Sequence, residues 1–311
     1  MPISHRAAPA SAPSRKPLLL LALPLILLFC LCSTPAAAEC IETSVQQSAI
    51  TSAMDGAGTD DTARLTAALG AITSSGVSCV GAAGLEVILS KLSSRDAVCG
   101  MVREMVDGGL VQGYSCDNVH AVMKVGVDTY YSRLSRLMSL LRSPSTQACA
   151  AAGIVSILAE LSTEQQKLAA LSRFLGDGRV AAFTVAETVS IVSTIPTIDM
   201  GLRALNLVLE AGLSPVLATS LEVVNVMEVF KGDAGRASAL TGLIAAHAMR
   251  GGMTGADVAY VLAGFHGDDA RVTAVGEVVE AGLVQCLSPA ALKAVIHKVA
   301  ATTYKMVRIT V

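Results

Sequence analysis

The chain has 311 residues and a nearly balanced charge, with 23 basic and 25 acidic side chains and a formal net charge of −2. The first 38 residues contain three of the basic side chains and no acidic one, so the remainder carries a net charge of −5. This sign argues against a nucleic-acid-binding groove, which needs a basic face to displace counterions. Aromatic residues make up only 3% of a chain that is 52% hydrophobic, which favours close helix packing through small side chains.

Residues 1–38 are predicted to be a signal peptide. Arg15 and Lys16 precede a 16-residue apolar run, and three alanines then place small residues at the −3 and −1 positions before Glu39. We therefore expect cleavage before Glu39 and a secreted or secretory-pathway protein without a membrane segment. A retained membrane anchor is the alternative, although the apolar run is short for a membrane span.

Residues 58–311 keep a repeating pattern that residues 39–57 do not share. A mostly basic position recurs at intervals of 34 or 35 residues, at Arg64, Val98, Arg133, Lys167, Gly201, Arg236, Arg271 and Lys305. An apolar position keeps the same interval, at Leu85, Val119, Ile154, Thr188, Val223, Val258 and Leu292. Two independent positions that stay in step indicate a repeat architecture. We assign residues 39–57 to an N-terminal capping segment and residues 58–311 to a repeat domain.

Each repeat is predicted to contain two helices. In one unit Thr254 is a candidate N-cap, and the spacing of a one-faced helix follows it at Val258, Val261, Leu262 and Phe265. Asp268 is predicted to be the N-cap of the second helix, and Gly282 to end that helix in the left-handed conformation. A two-helix unit cannot bury its own apolar face and must stack on its neighbours. The sequence therefore predicts an all-α fold, a right-handed α-solenoid of about seven two-helix repeats of 34–35 residues.

In several copies an acidic residue stands three positions before the basic one, which gives the pairs Asp61–Arg64, Asp233–Arg236 and Asp268–Arg271. We interpret them as structural residues at the repeat junctions, where the carboxylate caps a helix and the cation lies one turn further on. The alternative is a ladder of cations that binds an acidic ligand. Val98 and Gly201 interrupt that ladder.

One unit contains the run Thr254-x3-Val258-x2-Val261-Leu262-x2-Phe265-x2-Asp268-x2-Arg271-Val272, and Phe230-x2-Asp233-x2-Arg236 repeats its second half. This run resembles the half-repeat T-x3-V-x2-[IV]-[LM]-x2-F-x2-D-x2-R-L of a domain-of-unknown-function family found in exported bacterial and animal proteins. Weaker matches extend over most of residues 58–306. The resemblance implies an all-helical exported module, and it brings no catalytic residues.

Six cysteines follow the predicted signal peptide, an even number that suggests disulfides in an exported chain. The disulfide candidates are Cys40, Cys79, Cys116 and Cys149. The last three fall in equivalent loops, so Cys79–Cys116 and Cys116–Cys149 are both open as bridges, across a gap of about 10 Å. Cys99 occupies an apolar helix position and is expected to be a small buried residue. Cys286 is expected to be unpaired or bonded to another chain.

No grouping typical of catalysis is evident, so we expect no enzyme activity, no cofactor and no metal. The four histidines after residue 38 lack metal-ligand spacing, and the runs 174–179 and 251–255 are assigned to loops. These observations favour a secreted helical-repeat protein that binds a protein partner or acts as a structural module. Two alternatives stay open: an organellar helical-repeat RNA-binding protein, which the net charge disfavours, and an enzyme of unrecognised type.

Overall fold

The computed structural model describes residues 44–126, 130–178, 180–284 and 288–290, together with residues 293, 295 and 297. The chain divides into two units, residues 1–39 and residues 40–311, and the described residues all belong to the second. The predicted signal peptide, Cys40, Cys286 and the last copies of the two recurring positions, Leu292 and Lys305, lie outside the described residues.

The fold is all-α: the described residues form fourteen helices, and their extended segments pair only in isolated bridges. From α3 onwards every odd-numbered helix has nine residues, and the even-numbered helices have eleven to fourteen. Within this part of the chain no helix combines the length and the apolar character needed to cross a bilayer. The helices are α1 (Ser44–Gly56), α2 (Asp61–Ser74), α3 (Ala82–Ser90), α4 (Arg95–Asp107), α5 (Cys116–Lys124), α6 (Tyr130–Leu140), α7 (Ala151–Ala159), α8 (Glu164–Gly176), α9 (Val185–Ser193), α10 (Ile198–Glu210), α11 (Ser220–Glu228), α12 (Gly232–Ala245), α13 (Gly255–Ala263) and α14 (Asp268–Glu280).

The helices pack in two rows. Each odd-numbered helix contacts the next odd-numbered helix, and each even-numbered helix contacts the next even-numbered one, from α1 to α14. The predicted apolar positions of the odd-numbered helices are buried, with Leu85 and Ile154 at 0% exposure and Val223 at 2%. Thr188 is the polar member of this set, and its hydroxyl donates to the carbonyl of Thr184 at 3.1 Å, which makes its burial tolerable.

Four of the odd-numbered helices, α5, α9, α11 and α13, begin at side-chain caps, whereas the N-cap residues of α3 and α7 form no side-chain hydrogen bond. Thr254 is confirmed as the N-cap of α13: its hydroxyl accepts from the backbone N–H of Asp257, whose carboxylate accepts from the N–H of Thr254 at 2.9 Å. The same reciprocal arrangement opens α5, α9 and α11. The prediction for Asp268 is wrong. Gly267 is the N-cap of α14, with an extended backbone at φ −91° and ψ 143°, so Asp268 is already the first helical residue.

Six of the seven even-numbered helices, all except α6, are followed by a residue in the left-handed conformation. Gly282 has φ +66° after α14, as predicted, and the N–H of Leu283 returns to the carbonyl of Val278. His247 takes this role after α12, with φ +53°. The assignment of residues 174–179 to a loop is wrong over its first half. Phe174 is fully buried, and α8 continues past it to Gly176.

The segments that lead from even-numbered to odd-numbered helices pair with one another through their backbones. Parallel bridges join Val80 to Val111, Cys149 to Val180, Leu217 to Met249 and Met253 to Val284. Short hydrogen bonds accompany them, such as the one from the N–H of Val80 to the carbonyl of Leu110 at 2.7 Å. Successive loops are therefore held in direct contact along one end of the helix rows.

Candidate functional site: the helix junctions

We define a junction as the turn between an odd-numbered helix and the even-numbered helix that follows it. Acidic residues in the first turn of an even-numbered helix accept hydrogen bonds from backbone N–H groups at the start of the next even-numbered helix. The first N–H groups of a helix have no partner within the helix, so a carboxylate there satisfies them and complements the helix dipole. The contacts join Asp61 to Ser93 (3.0 Å) and Ser94, Glu164 to Thr197 (2.9 Å), and Asp233 to His266 (2.9 Å) and Gly267 (2.6 Å).

These contacts lower the pKa of two junction carboxyls. Burial is the largest single influence on Asp61 and acts to raise its pKa, but hydrogen bonds from Ser93 and Ser94 together outweigh it. Asp233 behaves in the same way, with hydrogen bonds from the N–H groups of His266 and Gly267 opposing burial and leaving the pKa below its ordinary value. Both carboxylates are therefore held in the charged form that the N–H groups require.

The cations of the junctions also reach forward. Four of them donate to the carbonyl oxygen of the C-cap residue of the next odd-numbered helix, 27 or 28 residues ahead. Carbonyls at a helix C-terminus lack an internal partner and carry the negative end of the helix dipole, so a cation is the matching donor. The donors and acceptors are Arg64 with Lys91 (2.7 Å), Arg133 with Glu160 (3.0 Å), Lys167 with Thr194 (2.8 Å) and Arg236 with Gly264.

Asp268 and Arg271 lie at the last described junction, and among the described residues they contact each other and the neighbouring turn. Arg271 Nη1 is 3.1 Å from Asp268 Oδ1, while Nε and Nη2 donate to the carbonyl of Phe265 at 3.0 and 2.7 Å. Asp233 and Arg236 are further apart, at 3.9 Å. The sequence pairs are thus brought to the junctions, and most of their contacts connect one helix pair to the next.

Val98 occupies a basic position of the pattern, and a different residue supplies the cation there. A Cβ built on Gly126, which has φ +93°, would lie 3.2 Å from the Val98 side chain, so these two residues are in close contact. Arg136, fully buried, donates from Nε and Nη2 to the carbonyl of Met123 near the end of α5. Sequence reasoning missed Arg136. Two features of the sequence together could have pointed to it: the pattern has no cation at Val98, and α6 contains a second arginine in addition to Arg133.

Gly201 occupies the other interrupted position, where an aromatic ring takes the space. A Cβ at Gly201 would lie 3.2 Å from the ring of Phe230 and 3.0 Å from the carbonyl of Ile195. Phe230 is 2% exposed. Packing of the ring against glycine therefore replaces the cation-to-carbonyl contact at the end of α11.

Glu160 is a further junction residue that the sequence did not single out. Its carboxylate is 2.8 Å from Arg133 Nη1 and 3.3 Å from both His120 Nε2 and Lys124 Nζ. Burial acts to raise its pKa and is the largest single influence, but the hydrogen bonds and charges of these neighbours outweigh it and lower the pKa. This cluster joins α5, α6 and α7 through one carboxylate.

The cysteines divide between bonded and free. Cys116 is bonded to Cys149, with their Cα atoms 5.2 Å apart, so the Cys79–Cys116 bridge does not form. The expected 10 Å gap is closed because these loops pair directly, with the N–H of Gln147 donating to the carbonyl of Tyr114 at 2.8 Å. Cys79 is also disulfide-bonded, and its partner lies outside the described residues. Cys99 is free and half-buried rather than fully buried.

Gly153 makes room for the disulfide. A Cβ built at this position in α7 would lie 2.6 Å from Cys116 Sγ and 3.0 Å from Cys116 Cβ. No heavier residue fits without movement of the disulfide. This contact explains why a glycine stands inside α7.

The described residues also line two surface cavities. One, of about 260 Å³, lies between the starts of α11 and α13 beside Arg250. The other, of about 340 Å³, lies between α4 and α6 beside Cys99. Within the described residues no cluster of three or more histidine, cysteine or acidic side chains could hold a metal ion. No protein-family model, no curated protein and no solved structure matches the chain.

Proposed function

We propose that the chain is a secreted α-helical repeat protein that acts as a protein-binding or structural module without catalysis. We further propose that its helices form a right-handed α-solenoid of seven two-helix units. The observation that carries the proposal is the recurrence of the junction contacts at constant separation. Carboxylates bond N–H groups 32 to 34 residues ahead, and cations bond carbonyls 27 or 28 residues ahead. Each unit is completed by its neighbour, which is the defining dependence of a solenoid.

The row of odd-numbered helices supports protein binding. Its exposed positions are mostly small and uncharged, as in Ala152, Ser156 and Ala159 of α7, and larger apolar side chains join them at Leu221 (52% exposed) and Tyr260 (46% exposed). The exposed positions of the even-numbered helices carry more charge, for example Arg95, Asp96, Arg103 and Glu104 in α4. Protein interfaces are depleted of charge at their centres. We therefore propose the odd-numbered row as the partner-binding face.

Secretion is supported by the predicted signal peptide and by the Cys116–Cys149 bond. Disulfides persist in oxidising compartments and are rare in the cytosol. The resemblance of residues 254–272 to an exported family of helical repeats agrees with this proposal. The alternative of RNA binding is disfavoured, because Arg64, Lys167 and Arg236 donate to backbone carbonyls of the protein itself.

The test is the intact mass of the protein purified from its own cells, measured with and without alkylation of free thiols. We expect a chain that begins at Glu39 or Cys40 and is four hydrogens lighter than the reduced form, which corresponds to two disulfides. A chain that begins elsewhere, with every cysteine open to alkylation, would contradict secretion and favour an organellar protein. A separate experiment tests the binding face. If Leu221→Glu and Tyr260→Glu left partner binding unchanged, the odd-numbered row would not be the partner-binding face.

A further inference from the structure

The cavity between α4 and α6 contains a free thiol. Cys99 lies on its wall, and Cys99 is the one cysteine of the described residues that forms no disulfide. Within the described residues the Cys99 thiol forms one long hydrogen bond, from Sγ to the carbonyl of Ser132 at 3.8 Å. In the equivalent position of other even-numbered helices the chain has the apolar residues Leu65 and Val272. The thiol is thus not required by the helix packing and is open to the cavity.

The same cavity is lined by a hydroxyl that has no partner among the described residues. Ser139 lines it and is only 8% exposed, and its hydroxyl makes no hydrogen bond within the described part of the chain. The other hydroxyls on helices commonly return to the carbonyl one turn back, as Thr241 does to Ala237. Ser139 is therefore positioned to bond a molecule in the cavity.

The charge around the cavity is positive. Arg103 and Arg142 both line it, both are exposed, and neither guanidinium forms an ion pair among the described residues. Among the described residues that line the cavity, Asp96 is the only acidic one, and it is 3.3 Å from Arg95 with 89% of its side chain exposed. Two unpaired guanidinium groups in a concave site favour a ligand that carries carboxylates.

We propose that this cavity is an S-thiolation site, in which Cys99 forms a mixed disulfide with an anionic low-molecular-weight thiol of the glutathione class. The Cys99 thiolate attacks one sulfur of the oxidised, disulfide form of that thiol. The bond from Cys99 Sγ to the attacked sulfur forms as the original S–S bond breaks, and the second half leaves as a thiolate that takes up the proton released from Cys99. Arg103 and Arg142 hold the carboxylates of the bound half, and the Ser139 hydroxyl donates to one of them.

The experiment compares two disulfide reagents on the folded, disulfide-bonded protein. Oxidised glutathione is anionic and cystamine is cationic, and intact mass spectrometry follows the rate at which each adds one half-molecule. We expect a single addition of glutathione at Cys99, absent in Cys99→Ala, and a slower reaction with cystamine. Arg103→Ala and Arg142→Ala should each slow the reaction with glutathione on the order of three-fold and should speed the reaction with cystamine.

Arg203→Ala is the matched control, because Arg203 is an exposed arginine of an even-numbered helix outside the cavity. Circular dichroism confirms that each variant is folded, and the comparison of the two reagents on the unaltered protein needs no variant. Equal rates with both reagents, or equal effects of Arg103→Ala and Arg203→Ala, would overturn the proposal. Absence of any addition at Cys99 would overturn it as well. The proposed secretion and partner binding do not depend on either result.

Discussion

Arg136 donates two hydrogen bonds to the carbonyl oxygen of Met123, and its side chain is fully buried. A cation without water is costly unless it is well bonded, and the end of α5 supplies both an unpaired carbonyl and the negative end of a helix dipole. The contact stands where Val98 lacks the cation of the other junctions. It therefore explains how the chain keeps a helix terminus satisfied when the pattern fails.

We expect Arg136→Ala to lower the free energy of unfolding by about 3–5 kcal/mol, because it opens a cavity and leaves the Met123 carbonyl unbonded. Arg136→Met fills most of the space but donates no hydrogen bond, so its cost should be smaller, about 1–3 kcal/mol. Urea unfolding followed by circular dichroism measures both. Arg203→Ala, at an exposed site, should change stability by less than about 0.5 kcal/mol. If Arg136→Met changes the free energy of unfolding no more than Arg203→Ala does, the hydrogen bonds to the Met123 carbonyl contribute nothing to stability.

The lowered pKa values of Asp61 and Asp233 predict a loss of stability in acid. A carboxyl whose pKa is lower in the folded state binds fewer protons there, so its contribution is complete above about pH 5 and declines as the pH falls through and below the ordinary value near 3.9. Asp61→Asn and Asp233→Asn should each cost about 1 kcal/mol at neutral pH and flatten this decline.

The measurement is urea unfolding at a series of pH values between neutrality and acid. Asp199→Asn is the control for the carboxylate substitutions, since Asp199 also lies in the first turn of an even-numbered helix but is exposed. A variant of Asp233 that keeps the acid dependence of the unaltered protein would show that the bonds to the N–H groups of His266 and Gly267 are not the cause.

Gly153→Ala should destabilise the oxidised protein by about 1–3 kcal/mol, because the new methyl group collides with Cys116 Sγ. In a Cys116→Ala/Cys149→Ala background the same substitution should cost clearly less, because Sγ is absent and only the Cβ of residue 116 stays close, at 3.0 Å, while alanine is the better helix former. Gly276→Ala in α14 is the control, because a Cβ there meets nothing within 4 Å. An equal cost of Gly153→Ala in the two backgrounds would rule out the disulfide as the reason for the glycine.

Removal of the Cys116–Cys149 bond, by Cys116→Ser with Cys149→Ser, should lower the free energy of unfolding by about 3–4 kcal/mol, as expected for a loop closed by a sequence separation of 33 residues. Cys99→Ser should have a much smaller effect, because Cys99 forms no disulfide. Thermal unfolding with and without a reducing agent measures both. If the reducing agent lowers the unfolding temperature of the double variant as much as that of the unaltered protein, a disulfide other than Cys116–Cys149 is responsible for the loss of stability on reduction.

The all-helical fold and the buried positions could be predicted because burial imposes a period on the sequence. Leu85, Ile154 and Val223 stand at the predicted apolar positions and are buried. Thr254 could be recognised as an N-cap because its partner, Asp257, lies in the same turn of chain. Features that depend on neighbouring residues in sequence leave a local signal.

The direction of the junction contacts could not be predicted. Asp61 and Arg64 were expected to act within their own unit, but they bond backbone groups of Ser93 and Lys91. A backbone N–H or carbonyl has no residue signature, so the sequence does not show which one a side chain reaches. The Cys99 cavity was missed for a similar reason, since Ser139 and Arg142 meet it only through the packing of α4 against α6.

Because the junction side chains point from each helix pair to the one after it, the two ends of the chain should tolerate truncation unequally. Removal of residues 58–91 would take away Asp61 and leave the N–H groups of Ser93 and Ser94 exposed at the new first helix. Removal from the other end would leave carboxylates and guanidinium groups without their backbone partners, and water solvates such groups readily. The polar groups of the protein therefore have a direction: shortening from the C-terminal side frees side chains that water hydrates, whereas shortening from the N-terminal side leaves the first backbone N–H groups of the remaining helix without their carboxylate.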